Sequence, residues 1–356
     1  MKGKNIMSDY SVSKVYASDK NTNLKVNKLL EQEGIRRDKN LDYTCAMFDD
    51  DYNVIATGSC FGNTLRCMAV SRAHQGEGLM NEIVTHLVQF EFERGIYHLF
   101  LYTKCESVKF FGDLGFYEIV RADGQAVFME NRRTGFKEYL EQLVKTKVNA
   151  PKIAALVLNA NPFTLGHLYL VEKAASENDY VHIFIVSEDA SLVPFEIRKK
   201  LVIEGTSHLK NLIYHDSGAY IISSSTFPSY FQKDESAVIE SHAKIDLSIF
   251  VKIAESLGIK SRYVGEEPKS LVTGIYNKIM QSKLPENGIE CVIVPRKQES
   301  ENGEVISASK VRQAIKDNQL EIIKNLVPES TYKYFTSKDA EPVIQKIRAQ
   351  SNVIHY

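Results

Sequence analysis

The apolar run Ile153-Ala154-Ala155-Leu156-Val157-Leu158 passes without a break into Asn159-Ala160-Asn161-Pro162-Phe163-Thr164-Leu165-Gly166-His167, and this junction restricts the possible folds more than any other stretch. A short, unbroken apolar run bounded by turn formers reads as a strand buried on both faces, as in a parallel sheet covered by helices. Beyond the turn, Leu168, Val171 and Ala174 recur at helical spacing. Strand, turn and helix therefore meet at Thr164-Leu165-Gly166-His167. A helix start carries unpaired N–H groups and partial positive charge, a setting that favours phosphate. Gly166 allows close approach to the backbone. The Thr164 hydroxyl and the His167 imidazole can hydrogen-bond the oxygens of a phosphorus centre, and positioning with electrostatics is most of what such transfer needs.

The pattern that follows alternates. Residues 181–186 are apolar and 196–209 helical; further strands are predicted at 220–223, 262–264 and 291–294, and helices at 245–257, 272–280 and 309–316. Such alternation predicts an α/β domain with a parallel sheet and crossover helices. At its far end stands Ile306-Ser307-Ala308-Ser309-Lys310-Val311-Arg312, preceded by the polar loop 297–304. Ser307 and Ser309 suit a helix start, but Lys310 and Arg312 in a first turn oppose the helix dipole, which suggests an anion nearby. Alone, this is a capped surface helix with two solvated cations. Paired with the earlier turn it reads as the second half of a phosphate site.

Before residue 135 the pattern is different. Short apolar runs at 44–48 and 54–60 flank Asp49-Asp50-Asp51-Tyr52-Asn53, a hairpin signature. A polar helix is predicted near 23–33, and a strand at 65–70 leads through Gln75-Gly76-Glu77-Gly78 into a helix with Leu79, Ile83, Leu87 and Phe90 on one face. Backbone N–H groups at such a glycine turn can receive a pyrophosphate. Phe136, Tyr139, Leu140 and Leu143 line one face of a predicted helix over 135–149. The resulting division is 1–135, a linking helix 136–151, a phosphate-binding α/β domain 152–335 and a C-terminal tail 336–356.

Composition excludes several classes. Lys and Arg total 44 against 45 Asp and Glu, so no basic excess points to nucleic acid. The five cysteines include no Cys-x-x-Cys pair, which indicates neither a disulfide framework nor a zinc site. No stretch approaches the roughly 18 apolar residues of a membrane span, and Met1-Lys2-Gly3-Lys4-Asn5 lacks the apolar core of a signal peptide. A cytoplasmic location with no membrane partner is expected. No metal site built from side chains is expected. Lys233, His242 and Asp246 read as surface residues of an insertion between strands.

The two motifs resemble those of the nucleotidyltransferase superfamily, a (His/Thr)-x-Gly-His turn and a later Ile-Ser-x-Ser-x-x-(Arg/Lys). That resemblance implies a Rossmann-like fold, contact with the ATP phosphates by Thr164 and His167, a phosphate cation at Arg312 beside Ser309, Lys310 as a helper, and an assisting Mg2+. Residues 159–167, with Tyr263-Val264-Gly265-Glu266-Glu267-Pro268 and Thr273-Gly274-Ile275-Tyr276-Asn277, are similar to the citrate lyase ligase family over nearly the whole chain. The similarity implies ATP-dependent activation of acetate and acetylation of a thiol on the citrate lyase acyl carrier, whose arm is of dephospho-coenzyme A type. Asn161, Phe163, Gly166, Gly265, Glu266, Ser307, Ser309 and Lys310 are then expected at the nucleotide. Gln75-Gly76-Glu77-Gly78, together with Lys109-Phe110-Phe111-Gly112-Asp113-Leu114-Gly115-Phe116-Tyr117-Glu118, resembles the GNAT acetyltransferases that bind acyl-coenzyme A.

Ala73 stands where that acetyltransferase family has its first Gln or Arg. The amino-terminal domain is therefore expected to bind the carrier arm through Gln75, Gly76 and Gly78, with Glu77 a helix-surface acid and Tyr117 a packing aromatic. Two other functions fit the same motifs: an adenylyltransferase acting on a small phosphorylated precursor, and a non-catalytic nucleotide-binding regulator.

Overall fold

A computed structural model describes residues 10–38, 40–122, 124–187, 191–221, 235–266, 271–296 and 305–353. Lys233, Glu267, Pro268 and the loop 297–304 lie outside the described residues. The chain divides into two compact units, Met1–Phe136 with Pro228–Ile245 and Lys137–Phe227 with Asp246–Tyr356.

The first unit contains, in chain order, β1 (Ser13–Lys14), α1 (Lys20–Gln32), β2 (Tyr43–Phe48), β3 (Val54–Phe61), β4 (Thr64–Val70), α2 (Leu79–Glu93), β5 (Phe100–Thr103), α3 (Val108–Asp113), β6 (Tyr117–Ala122) and β7 (Ala126–Glu130). Its sheet runs β1-β2-β3-β4-β5-β7-β6. The expected hairpin joins β2 to β3, with Asp49 Oδ1 accepting from the amides of Asn53 at 2.7 Å and Asp51 at 3.0 Å. α2 buries the anticipated Leu79, Ile83 and Leu87 against the sheet. Gly58 in β3 permits that approach, since a Cβ there would lie 2.5 Å from Ile83 Cγ2. β4 and β5 are the one parallel pair of this sheet among the described residues, joined only at Thr64 to Phe100 and Leu65 to Leu101.

The chain continues through α4 (Gly135–Val144), shorter than its predicted extent, and then β8 (Ile153–Leu158), α5 (Leu165–Glu177), β9 (Tyr180–Ile185), α6 (Phe195–Gly205) and β10 (Leu212–Asp216). Next come α7 (Glu235–Leu257), β11 (Ser261–Gly265), α8 (Leu271–Glu286), β12 (Glu290–Val294), α9 (Ala308–Lys316), α10 (Leu320–Ile323), α11 (Glu329–Phe335) and α12 (Glu341–Arg348). The second sheet runs β10-β9-β8-β11-β12, with every pair parallel. The order reverses between β8 and β11, and the carboxyl ends of strands at such a switch point are where α/β sheets bind ligands. Of the predicted strand at 220–223, the described Tyr220 and Ile221 lie in a turn and a bend and residues 222–223 lie outside the described residues; β10 at Leu212–Asp216 takes the sheet edge. Residues 340–353 supply Ala340, Val343, Ile344, Ile347 and Val353 to a core shared with α9.

Two neighbouring strands bury a histidine pair. His182 Nδ1 and His215 Nε2 are 2.7 Å apart, with the side chains 0% and 7% exposed. One nitrogen must donate and the other accept, so at least one ring in the bond is neutral. Burial pushes both pKa values down to about 4, with His182 adding its charge to the effect on His215. The folded state thus takes up protons at lower pH than the unfolded chain, whose histidines titrate near 6.5. Stability from the pair is complete above pH 6.5 and drains away as pH falls from there through about 4, by on the order of 3 kcal/mol for the first proton. Urea unfolding monitored between pH 7 and 4.5 should show this loss, and the His182→Leu/His215→Leu double variant should make the acid slope shallower, leaving the share that His167 adds. An unaltered acid slope in that variant would assign the loss elsewhere.

Candidate active site

β8 delivers its carboxyl end to a turn held from beneath. Arg198 of α6, fully buried, donates from Nε to the Val193 carbonyl at 2.9 Å and from Nη1 to the carbonyls of Asn159 and Val186, each at 2.8 Å. Arg312 of α9, 2% exposed, donates from Nη1 to the Asn161 carbonyl at 2.5 Å, from Nε to the Val353 carbonyl at 2.6 Å and from Nη2 to Ser309 Oγ at 3.4 Å. Burial lowers its pKa to about 10, still far above neutrality. The side chain expected to meet phosphates as a cation is therefore committed to the protein interior. It joins the two sequence motifs by bonding to the turn's backbone.

Asn161, 3% exposed, accepts the Val193 N–H on Oδ1 at 3.0 Å, and its buried Nδ2 has no hydrogen-bond partner in the protein. Phe163 is completely buried and stacks on His167 with ring centroids 5.9 Å apart and planes 12° from parallel. It lies directly under the imidazole at the head of α5.

Thr164 caps α5. Its Oγ1 accepts from the His167 N–H at 3.3 Å, and its own N–H donates to His167 Nδ1 at 3.1 Å. This is a capping box with histidine in the place usually held by Glu or Gln. Because Nδ1 accepts, the proton of the neutral ring resides on Nε2. Burial first, then the charges of Arg296 and Arg312, depress the His167 pKa to about 4. At neutral pH the residue is an uncharged hydrogen-bond donor through Nε2.

Gly166 brings the motifs together. A Cβ on it would approach the Ile306 carbonyl oxygen to 3.3 Å and Thr164 Oγ1 to 3.5 Å, so its bareness serves the seating of α5 against the second motif. Leu165 N also donates to the Leu326 carbonyl at 2.9 Å. Ser307 caps α9 by accepting from Lys310 N at 3.3 Å; Ser309 and Lys310 are half-buried in its first turn. Gly265 ends β11 and Glu266 follows it; Glu266 N donates to the Val294 carbonyl at 2.9 Å and Asn277 Nδ2 to the Gly265 carbonyl at 3.3 Å. Sequence reasoning missed Arg296, whose Nε donates to the Glu266 carbonyl at 2.8 Å.

His242 and Asp246, taken from sequence as surface residues, are each only 5% exposed. Asp246 accepts from both Nη atoms of Arg262 at 3.3 Å, an ion pair that a separation of sixteen positions conceals in the sequence.

In the first unit, Gly76 and Gly78 take φ of +91° and +85° before α2, with Gln75 exposed beside them. Where β4 and β5 part, Met68, Met80, Tyr102, Thr103 and Phe111 line a cavity of ≈ 160 Å³. Tyr117 at the start of β6 is 41% exposed, and Glu77 is exposed as expected. Among the described residues, no cluster of His, Cys, Asp and Glu is arranged to hold a metal ion, and no helix is long and apolar enough to cross a membrane.

A parallel sheet with a capped helix start at its switch point, following a mixed sheet whose central parallel strands diverge, defines a Rossmann-like nucleotidyltransferase-class domain preceded by a GNAT fold. The family model for the citrate lyase ligase C-terminal domain matches residues 153–335, and that for the acetyltransferase (GNAT) family matches 12–116. The chain belongs to the citrate lyase ligase family. It is 40% identical to the [citrate [pro-3S]-lyase] ligase of Escherichia coli strain K12 over 306 residues, spanning 83% of this chain and 86% of that protein. The protein of the same name from Haemophilus influenzae is 35% identical over 315 residues, 87% of this chain and 93% of its own length. A GNAT-family acetyltransferase structure from Staphylococcus aureus Mu50 aligns with 35% of this chain and 99% of its own, at 14% identity and a TM-score of 0.30.

Arg312→Met should leave two buried carbonyls without donors and lower the unfolding free energy by roughly 3 kcal/mol. Urea titration of the variant measures this directly. Stability equal to the parent's would show that the turn is held by something else.

Proposed function

We propose that the protein is an ATP-dependent, AMP-forming ligase that activates acetate as acetyl-adenylate and acetylates the thiol on the arm of the citrate lyase acyl carrier. The observation that carries this reading is the junction of the two motifs, with a neutral His167 at the head of α5 and Gly166 seated on Ile306, in a chain of this family. ATP would meet the α5 start, where N–H groups favour its phosphates, and the unpartnered Asn161 Nδ2 offers a further donor at the same turn. Mg2+ enters with the triphosphate, as it commonly does when substrate phosphates supply part of its coordination.

In the first half-reaction an acetate oxygen attacks the α-phosphorus, the bond to the bridging oxygen breaks, and pyrophosphate departs with its electron pair. His167 Nε2–H and the Thr164 cap are the groups we assign to the phosphoryl oxygens; the ring needs no proton exchange, because acetate is already ionised. In the second, the carrier thiol loses its proton, its sulfur attacks the acetyl carbonyl, and AMP leaves. Arg312 acts through the backbone it supports, and Phe163 through the ring it stacks upon. Ser307, Ser309, Lys310, Gly265 and Glu266 are assigned to the rim of the same site.

The cavity between β4 and β5 suits the amide and methylene chain of a pantetheine arm, being lined mainly by Met, Tyr and Phe side chains. The glycine turn at Gly76 and Gly78 suits its phosphate. We assign the first unit to holding the carrier's arm in the cytoplasm, where citrate lyase acts as the partner.

Incubation with ATP, Mg2+, acetate and labelled pyrophosphate should give acetate-dependent exchange, and His167→Ala should reduce it by roughly 100-fold with little loss of stability. Exchange that ignores acetate, or transfer of AMP onto a phosphorylated acceptor, would replace the ligase with an adenylyltransferase. Separately, Gly76→Asp adds a carboxylate to the turn, at about 1 kcal/mol of backbone strain, and should raise the KM for carrier while leaving acetate-dependent exchange intact. Unchanged saturation by carrier would remove the glycine turn from arm binding.

A further inference from the structure

Arg296 lies just beyond β12, at the same carboxyl edge of the sheet from which β8 leads to His167 and β11 to Glu266. Its backbone and side chain are both tied to that edge. Glu266 N donates to the Val294 carbonyl at 2.9 Å, and Arg296 Nε returns a bond to the Glu266 carbonyl at 2.8 Å, so the side chain is latched across the ends of two adjacent strands. It is half-buried, and that burial lowers its own pKa.

Its charge reaches His167. Of the two cations that depress the histidine's pKa, Arg296 has the larger effect, ahead of Arg312 from the second motif itself. The start of α5, the buried Arg312 and the latched Arg296 thus all bring positive charge to the carboxyl edge of this sheet. Positive charges gathered at one helix start repel one another in the protein alone, and a polyanion relieves that repulsion when it binds. Arg312 has already committed its guanidinium to the carbonyls of Asn161 and Val353.

We propose that Arg296, latched across the ends of β11 and β12 at the switch-point edge, is the catalytic cation that contacts the phosphate oxygens of ATP during adenylation. Adenylation moves negative charge onto the departing pyrophosphate and the equatorial oxygens at the α-phosphorus, and a planar guanidinium held by Nε can meet two such oxygens at once. The proposal rests on the ligase reading for its reaction, though not for its ligand.

The test compares the full-length protein with Arg296→Gln and Arg296→Lys. For acetate-dependent exchange, Arg296→Gln should lower kcat by roughly 100-fold or more with a smaller change in the KM for ATP, and Arg296→Lys should recover part of the loss by restoring charge without the fork. NMR titration of His167 should show its pKa rising in Arg296→Gln, a shift that loss of a purely structural bond would not produce. Wild-type kcat in Arg296→Gln would overturn the proposal. So would equal losses in both variants with an unmoved His167 titration and a lowered Tm, which would make the residue a strut. Calorimetric binding of MgATP without any acid separates the two readings: if Arg296→Gln weakens that binding while no acid supports exchange, the ligase reading falls and Arg296 stands as a phosphate cation. If the wild type does not bind MgATP, both fall.

Discussion

The turn after β8 rests on two buried guanidinium groups, and much of the second unit's geometry follows from them. Arg198 collects the carbonyls of Asn159, Val186 and Val193, while Arg312 collects those of Asn161 and Val353. Backbone carbonyls at the end of a parallel strand have no ladder partner once the chain turns away, and burying them unpaired costs roughly 1–3 kcal/mol each. A guanidinium with its donors in a rigid fork satisfies several from one side chain. The two arginines bring charge into the interior, and that cost is tolerable only because their polar hydrogens meet carbonyls there.

The same device sets the chemistry above the turn. With the turn fixed, Thr164 is positioned to cap α5, and the capping box closes through His167 Nδ1 instead of a carboxylate. A carboxylate in that place would bring negative charge to the spot where phosphates bind best. An imidazole completes the box without charge, and burial, with the nearby arginines adding to it, keeps it uncharged. Phe163 beneath the ring and the bare Cα of Gly166 against Ile306 leave His167 little freedom to turn. Preorganisation of this kind arises from local packing of one short segment.

Much of this was legible in the residues themselves. The apolar run of β8, the capped start of α5 and the alternation that follows gave the α/β class, because burial on both faces and helical spacing leave direct marks on a sequence. The direction in which a polar side chain points leaves none. Arg312 reads as a first-turn cation whether it faces outward to a phosphate or inward to Asn161, and only the position of the 340–353 segment, with Val353 beneath it, decides. Arg198 is hidden in Ile197-Arg198-Lys199-Lys200, which looks like an exposed basic stretch although Arg198 is wholly buried and Lys200 exposed. Arg296 is hidden in a polar segment for the opposite reason, since its context suggests solvent while its Nε is bonded to a distant strand end. β10 was missed because a five-residue edge strand containing His215 has too little apolar length to announce itself, and its histidine partner His182 is thirty-three residues away.

On the ligase reading, the two half-reactions respond to pH differently, and the residues explain why. Acetate is ionised above about pH 5, near the range of other carboxylates, and His167, with its pKa near 4, stays neutral over that whole interval. Neither His167 nor Arg312 changes charge between pH 5 and 8, so neither gives the adenylation step cause to vary there. The carrier thiol is different. A free thiol titrates near 8.5, and only its thiolate is a strong nucleophile. The pH dependence of the complete reaction must then come from the thiol and from whatever holds it. His167 was tuned by burial and neighbouring cations to be silent across the range in which the thiol awakens.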